Sequence, residues 1–362
     1  MRWVSGLAGT VLLVATLMNV LRTLVVPRGL ASALYGKLWV TFRATLRMMA
    51  HPFRSYEALD RFLAWLAPSL LVGMLAAWLG GIFAAYGLLT HAVSGLPIRA
   101  SFREAGSSLF TLGFASTDRP QLSVLDFLAA ATGPLFIALQ ISYLPTLYSS
   151  YNRRETDVTL LQARAGEPAW GPELLARQSL VGTETALPEL YQSWERLAAD
   201  IGESHANYPV LLAFRSPQPY RSWIVALIAV MDAAALHLAL NPGNAPPEAR
   251  LALRAGFTAL RDIARVIGVP FDPDPHPDAP IRLTYEEFVA GVARATDAGF
   301  KAERDAAAAW PHFAGWRVNY EQIAYELARR TDAVPALWTG PRDEVTSPMP
   351  PRRPADRRPV ER

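Results

Sequence analysis

The chain has 362 residues, of which 51% are hydrophobic, and its formal net charge at pH 7 is +3. This length allows two or three domains, and so small a net charge gives no support for nucleic-acid binding. There is no cysteine, which excludes disulfides, cysteine-ligated zinc and thiol catalysis. Apolar residues concentrate before Tyr151, so the first half is predicted to lie in a membrane and the second half outside it.

The first apolar segment runs from about Trp3 to Val26. About 20 mostly apolar residues cross a bilayer, so this segment predicts a transmembrane helix that ends before Pro27. A signal peptide is the alternative, because residues 31–33 resemble a cleavage site. The segment is longer than the apolar part of most signal peptides, and Asn19 and Arg22 interrupt its end, which favours a transmembrane helix. We expect Asn19 to tie this helix to another one.

The loop that follows is rich in positive charge. Its basic residues are Arg28, Lys37, Arg43, Arg47, Arg54 and Arg61, against the acidic Glu57 and Asp60. Positive loops stay in the cytoplasm, which places the N-terminus outside. Apolar residues from Leu34 to Met49 recur at helical spacing among the basic ones, so residues 1–65 are predicted to hold a transmembrane helix and a basic linker helix. That second helix either lies on membrane lipid or packs on protein.

The second and third apolar segments run from about Leu66 to Thr90 and from about Leu122 to Tyr148. Ser101 to Asp118, a polar stretch, lies between them. In that stretch Ser101 and Glu104 fit a capping box, which predicts a helix over about 102–110. Backbone that is neither helix nor barrel survives at membrane depth only where protein buries it or where it lines a water-filled path. The stretch is therefore a candidate pore, and the alternative is a re-entrant turn packed inside a membrane bundle, whose polar residues satisfy one another.

Thr111, Leu112, Gly113 and Phe114 follow the predicted short helix. Backbone carbonyls of such a loop can replace the water shell of an ion when several copies surround an axis. Gly113 permits the positive φ that turns carbonyls inward, because glycine has no Cβ.

Two spans around a re-entrant helix and a Thr-x-Gly-aromatic turn resemble the pore module of the tetrameric potassium-channel family, over roughly residues 66–150. The family's filter reads Thr-Val-Gly-Tyr-Gly-Asp, and residues 111–114 match its first four positions with two conservative changes. Its second glycine falls on Ala115 and its aspartate on Ser116. Holding a non-glycine residue in the left-handed region costs about 1 kcal/mol, so the outermost carbonyl ring is expected to be reshaped.

The resemblance implies a homotetramer, because one pore module per chain requires four chains around an axis. It also implies that a monovalent cation, K⁺ before others, passes the filter Thr111–Ala115, with no further metal and no cofactor. Gly133 and Pro134 lie near the middle of the third span, where inner helices of this family bend, so they are a candidate gating hinge. A static kink that improves packing is the alternative.

Residues 151–338 have a helical pattern and are predicted to form a cytoplasmic helical domain, followed by a disordered basic tail at 339–362. The predicted helices are Pro172–Val181, Thr185–Ile201, Pro219–Leu240, Pro246–Ile267, Thr284–Lys301 and Asn319–Thr331. Thr284 with Glu287 is a capping box, and Asn319 with Gln322 is a weaker one. The apolar stretch Trp223–Leu240 contains Asp232 and His237 and is read as a buried central helix. Asp232 then needs a partner, for which Arg254 and Arg261 are the candidates.

This half contains none of the patterns of a phosphate loop, a dinucleotide loop, a zinc protease or a serine hydrolase, and an enzyme is not expected. The sequence predicts an all-α membrane protein of the inner (plasma) membrane. Three transmembrane helices and a re-entrant pore helix precede a cytoplasmic helical bundle, and the chain is an ion channel subunit. The alternative is a non-conducting scaffold or sensor whose bundle binds an unidentified cytoplasmic partner.

Overall fold

The computed structural model describes residues 2–24, 32–115, 120–339 and 347–352. These residues are helical, without a β-sheet, and they form two compact units: residues 1–49 with 65–149, and residues 50–64 with 150–362. In chain order the α-helices are α1 (Arg2–Leu24), α2 (Ala33–Ala50), α3 (Tyr56–Leu63), α4 (Leu66–Ser94), α5 (Ile98–Leu109), α6 (Pro120–Ala165), α7 (Gly171–Leu180), α8 (Leu187–Asn207), α9 (Trp223–Leu240), α10 (Pro247–Ile267), α11 (Tyr285–Asp297), α12 (Ala306–Arg317) and α13 (Glu321–Arg330).

Four stretches of the described chain are long and apolar enough to cross a membrane: α1, α3 with α4, α6, and α9. In the apolar windows of the first three, between 17% and 33% of residues are buried, whereas every residue of α9 is buried. Protein therefore surrounds α9 on all sides, and the predicted buried central helix is confirmed. Long apolar helices with exposed apolar side chains, as in the other three, are typical of a membrane protein.

In the first unit, α4 packs against α1 and α5. The indole Nε1 of Trp78 donates to Asn19 Oδ1 at 2.9 Å, so the prediction that Asn19 ties two helices together is confirmed. Phe42 of α2 lies against Gly73 of α4. This contact favours the interpretation in which the basic linker helix packs on protein, although Lys37 remains exposed.

Two local predictions for this unit are wrong, and others concern residues that the structure does not describe. Pro97 precedes α5, which begins at Ile98, and Ser101 lies inside that helix, where its Oγ donates to the Pro97 carbonyl at 3.3 Å. The capping box proposed for Ser101 and Glu104 is therefore wrong. The third span was expected to end near Tyr148, but α6 continues without a break to Ala165. Pro27, Ser116 and Asp118 lie outside the described residues.

In the second unit, α7, α10, α12 and α13 contact the central helix α9, and α8 packs along α10. The capping box of Thr284 and Glu287 is confirmed at the start of α11. The weaker box is wrong, because α13 begins after Tyr320 with no side-chain cap. The sequence also gave no sign of α12.

Asp232, which is fully buried on α9, finds its partners on and just after α12. Arg317, also fully buried, donates from Nη1 to Asp232 Oδ1, and the hydroxyl of Tyr320 donates to the same oxygen at 2.7 Å. Arg261 instead binds the Asn319 side chain at 3.2 Å. The expectation of Arg254 or Arg261 as partner is therefore wrong, because the true partner lies on the helix that was missed.

Part of the predicted disordered tail is held on the second unit. The Arg352 amide donates to the Glu167 carbonyl at 2.7 Å, and the Met349 amide donates to the Pro335 carbonyl at 2.6 Å. Residues 347–352 therefore contact the second unit, and the disorder predicted for 339–362 stays a prediction. Residues 340–346 and 353–362 lie outside the described part of the chain.

Candidate pore loop

The short helix α5 lies between two membrane-length helices and packs closely on the first of them. Gly87 of α4 faces the ring of Phe102, and Gly106 of α5 faces the ring of Phe83. The two phenylalanine rings meet edge to face with centroids 5.3 Å apart, a favourable arrangement for aromatic pairs. Small residues thus let the two helices approach each other, and the rings fill the remaining space.

The chain leaves α5 through a Schellman motif, a common way of ending a helix. The Leu112 amide donates to the Ser107 carbonyl at 2.8 Å, and the Thr111 amide donates to the Ser108 carbonyl at 3.0 Å. The motif needs a left-handed residue after the helix, which is usually glycine. Here that residue is Thr111, with φ of 54°. A β-branched residue at positive φ is strained, so the candidate filter begins on a strained residue.

Positive φ occurs again two residues later. Gly113 has φ of 71°, so the expected left-handed glycine is confirmed. Ala115 stands where the resembled filter has its second glycine, and it is not among the described non-glycine residues with positive φ, which are Thr111, Asp332 and Trp338. The strain therefore falls on Thr111, and the expected reshaping of the outermost carbonyl ring stays a prediction.

One serine holds both ends of the turn. The carbonyl of Ser107 accepts from Leu112, and its hydroxyl oxygen accepts from the Ala115 amide at 3.0 Å. Ser107 is 1% exposed, so water does not compete for these hydrogen bonds. Ser107 therefore fixes the path of residues 111–115 on the end of α5, and sequence reasoning did not single it out.

Between these fixed points the side chains face outward. Leu112 is 62% exposed and Phe114 is 54% exposed in the single chain. The guanidinium carbon of Arg103 lies 5.4 Å from the centroid of the Phe114 ring, close enough for a cation–π contact. Large apolar side chains at this exposure leave a surface that another chain can cover.

An acid on α6 also holds the end of α5. Asp126 accepts a hydrogen bond from the Ser108 hydroxyl at 2.6 Å. The sequence analysis did not single out Asp126, although one signal was present: an ionisable residue inside an apolar span marks a functional or structural contact.

Gly133 allows α6 to approach this same point. A Cβ on residue 133 would lie 2.1 Å from the carbonyl oxygen of Leu109, which is nearer than real atoms come. Beside it, the hydroxyls of Thr132 and Tyr86 lie 3.0 Å apart. Gly133 thus has a packing role at the end of α5, and Pro134 follows it inside an unbroken helix. Their role as a gating hinge stays a prediction.

The second unit of the fold, which we call the helical unit, contains a cleft. The described residues contain no group of three or more histidine, cysteine, aspartate or glutamate side chains that could hold a metal ion. A cleft of about 660 Å³ lies between the proline-rich segment after α10 and the helix α13. Its lining includes Pro270, Asp272, Pro280, Gln322 and Tyr325.

The candidate site is thus the turn 111–115, held by Ser107, Ser108 and Asp126 and overlaid by Gly133. Comparison of the chain with protein-family models, with curated proteins and with solved structures finds no match. Function is therefore inferred from the residues of the chain itself.

Proposed function

We propose that the chain is a subunit of a cation channel of the inner (plasma) membrane, with a potassium-channel-like pore formed by residues 111–115. The observation that carries the proposal is the turn with positive φ at Thr111 and Gly113, ordered between two membrane-length helices. Non-helical backbone at membrane depth survives where protein buries it or where it lines a water-filled path, and the channel proposal takes the second case for residues 111–115. Their carbonyls are the chemical groups that replace the water shell of a cation.

The position of α5 supports a cation as the permeant ion. The C-terminal end of a helix carries partial negative charge, and Leu109, the last residue of α5, comes two residues before the turn. A cation near residues 111–115 is favoured by this dipole, and an anion is disfavoured. Among monovalent cations, the order Thr-Leu-Gly-Phe makes K⁺ the first candidate.

A single copy of the turn can surround an ion on one side only. We therefore infer a homotetramer, in which the exposed Leu112 and Phe114 contact neighbouring copies. The exposed apolar residues of α1, which include Trp3, Leu7 and Val11, are assigned to membrane lipid. The helical unit is then placed in the cytoplasm, since the basic loop at 28–61 stays inside.

Flux of K⁺ and Na⁺ through the purified protein in liposomes tests the function. Wild type is compared with Gly113→Ala, which forces a Cβ into the left-handed region. Gly80→Ala is the matched control, because a Cβ at that helical position meets nothing within 4 Å. We expect flux in wild type and Gly80→Ala and its loss in Gly113→Ala. No flux in wild type at any pH or voltage refutes the channel.

Selectivity is tested in the same liposomes with Ala115→Gly, which restores the glycine of the resembled filter. We expect the K⁺/Na⁺ flux ratio to rise. An unchanged ratio contradicts the assignment of Ala115 to the ion pathway while leaving conduction itself intact.

The absence of cysteine makes the orientation measurable. A single cysteine introduced at Leu180, which is 62% exposed in the helical unit, should react with an impermeant maleimide only in permeabilised cells. Labelling of intact cells to the same extent contradicts a cytoplasmic helical unit.

A sensor that does not conduct is the second candidate, and the cleft beside α13 is the observation that favours it. Its wall combines prolines and other apolar residues with three carboxylates, a guanidinium, an amide and a phenol, and convergent polar groups on apolar surface are a feature of small-molecule sites. Absence of flux from every variant, together with saturable binding of a small molecule or peptide at this cleft, would establish this reading.

A further inference from the structure

Arg215, in the helical unit, binds the short helix α3 through its side chain. Its Nε donates to Asp60 Oδ1 at 2.6 Å, and its Nη2 donates to the Tyr56 hydroxyl at 3.0 Å. The side chains of Arg215 and Asp60 are 12% and 7% exposed. A charge pair so far from water depends on its partners, because removing one partner leaves a buried charge.

The same guanidinium also donates hydrogen bonds to the turn after α13. Arg215 Nη1 donates to the Thr331 carbonyl at 2.7 Å, and Nη2 donates to the Asp332 carbonyl at 2.8 Å. A planar guanidinium with its donors in a rigid fork suits such a multiple contact. Arg215 therefore joins α3 to the body of the unit rather than resting on its surface.

A second contact holds the start of α3. The hydroxyl of Tyr220 donates to Glu57 Oε1, and the Tyr220 ring lies 6.2 Å from the Tyr56 ring. Arg352 stacks over the opposite part of this cluster, with its guanidinium carbon 3.7 Å from the Tyr220 ring centroid. Helix α3 is thus bound at both its first turn and its last.

Helix α6 binds the backbone of Arg215 and of the residues just before it. The Tyr151 hydroxyl donates to the Arg215 carbonyl at 3.2 Å, and Arg154 donates to the carbonyls of Leu211 at 3.2 Å and Phe214 at 2.9 Å. Arg154 is fully buried. We name residues 211–215 the 211–215 segment.

Chain connectivity gives these contacts their meaning. Only Ala64 and Trp65 separate α3 from α4, the helix that leads to the candidate pore loop. Tyr151 and Arg154 lie on α6, the unbroken helix that begins a few residues beyond the loop. The 211–215 segment therefore holds the two stretches of chain that bracket the module of residues 66–149.

We propose that the 211–215 segment is a coupling element, through which the helical unit controls the candidate pore loop by holding α3 and α6 together. A ligand or partner that shifts this segment moves α3 relative to Tyr151 and Arg154 of α6, since both are bonded to it, and α3 leads directly into α4. The proposal rests on the proposed function of residues 111–115 and names how that site is regulated.

Asp60→Asn tests the coupling, because it removes the charge of the clamp with little change in shape. Asp262→Asn is the matched control: Asp262 pairs with Arg265 at 2.5 Å, but both side chains are largely exposed, and exposed pairs contribute little. Each substitution is introduced into two full-length backgrounds, the wild type and the Leu112→Cys variant. The latter carries one cysteine, because the natural chain has none. Hydrogen exchange of α3, the maleimide labelling rate of residue 112, and K⁺ flux are the three readouts.

We expect Asp60→Asn to speed exchange of the α3 amides by about tenfold, the order expected when a buried charged hydrogen bond is lost. It should also change the labelling rate at residue 112 and the flux by severalfold, and Asp262→Asn should change none of them. Faster α3 exchange with unchanged labelling and flux overturns the coupling. Unchanged α3 exchange overturns the clamp itself.

The labelling readout separates this proposal from the proposed function. A wild type without flux, in which Asp60→Asn still alters the labelling rate at residue 112, refutes the channel but supports the coupling. If the wild type conducts and Asp60→Asn alters neither the flux nor the labelling rate, the channel is supported and the coupling is overturned.

Discussion

Replacing Gly133 by alanine is expected to force α6 away from the end of α5. The new Cβ would lie 2.1 Å from the Leu109 carbonyl oxygen, where ordinary contact begins at 3.4 Å, so the two helices must separate by about 1.3 Å. The opposing atom belongs to the backbone, and no change of rotamer relieves the contact. Leu109 directly precedes the turn into residues 111–115, so the separation reaches the candidate filter.

The magnitude follows from two opposing effects. Overpacking of a closely packed site costs about 1–3 kcal/mol, and alanine in place of glycine inside a helix returns up to about 1 kcal/mol. With the full gain the net loss is up to about 2 kcal/mol per chain, a factor of up to about 30 in the ratio of folded to unfolded chains. Gly80→Ala receives the helical gain without the contact, because a Cβ there meets nothing within 4 Å.

Thermal unfolding in detergent and K⁺ flux in liposomes are measured on both variants. We expect Gly133→Ala to unfold at a lower temperature than wild type and to conduct less, and Gly80→Ala to match or exceed the stability of wild type. A Gly133→Ala protein as stable as Gly80→Ala refutes the packing argument. If that stable protein also opens more slowly, the gating hinge at Gly133 and Pro134 is the better explanation.

Three further predictions concern strain, a buried ion pair and acid. Thr111→Gly removes a β-branched residue from φ of 54° and should stabilise the chain by about 1 kcal/mol; an unchanged unfolding temperature would show that the turn is not strained. Arg317→Met leaves Asp232 buried without its guanidinium and should lower the free energy of unfolding by about 3–5 kcal/mol, as measured with urea. In that experiment Arg265→Met, at an exposed pair, should cost under about 1 kcal/mol, and equal losses would contradict the role of burial. Burial lowers the pKa of His205 well below its ordinary value of 6.5, so the unfolded chain binds a proton that the folded chain does not, and stability should fall as pH drops below about 6.5. His205→Gln should flatten that dependence, and an equally steep loss in the variant would assign it to another group.

The buried helix α9 could be read from the sequence because two signals agreed. Its apolar run has the bounds Trp223 and Leu240 in both the sequence and the structure. The polar Asp232 and His237 inside it shorten the apolar core below what a bilayer requires, so burial inside protein was the better explanation.

The partner of Asp232 could not be found in this way. Arg317 lies at the end of α12, whose sequence AAAAWPHFAGWR contains Pro311 and has no separate apolar and polar faces. Helix prediction depends on such a periodic pattern. A helix without it is visible only through its tertiary contacts, and the residue it supplies to the core is hidden with it.

In the pore loop, too, one feature was predictable from the sequence and another was not. Glycine is the residue that takes positive φ at little cost, so a left-handed Gly113 was predictable from the tetrapeptide. The left-handed Thr111 was not, because threonine avoids that region and adopts it here only to close the Schellman motif at the end of α5. The position of the strain is thus set by the C-terminal end of α5, which was predicted at about residue 110 and lies at Leu109, whereas the Schellman motif that follows it was not predicted.

The contacts of Ser107 explain how one chain can fix the geometry of a loop that would act in four copies. The Ser107 carbonyl and hydroxyl oxygens hold the amides of Leu112 and Ala115 from a buried position. The ends of the turn are therefore set within the single chain, and formation of the proposed tetramer would only have to bring preformed turns together. Strain stored at a site persists when the surroundings over-determine it, and Ser107, Asp126 and Gly133 constrain the end of α5 from which Thr111 follows. Thr111 is thus held at φ of 54° by the geometry of the helix end, against the backbone preference of a β-branched residue.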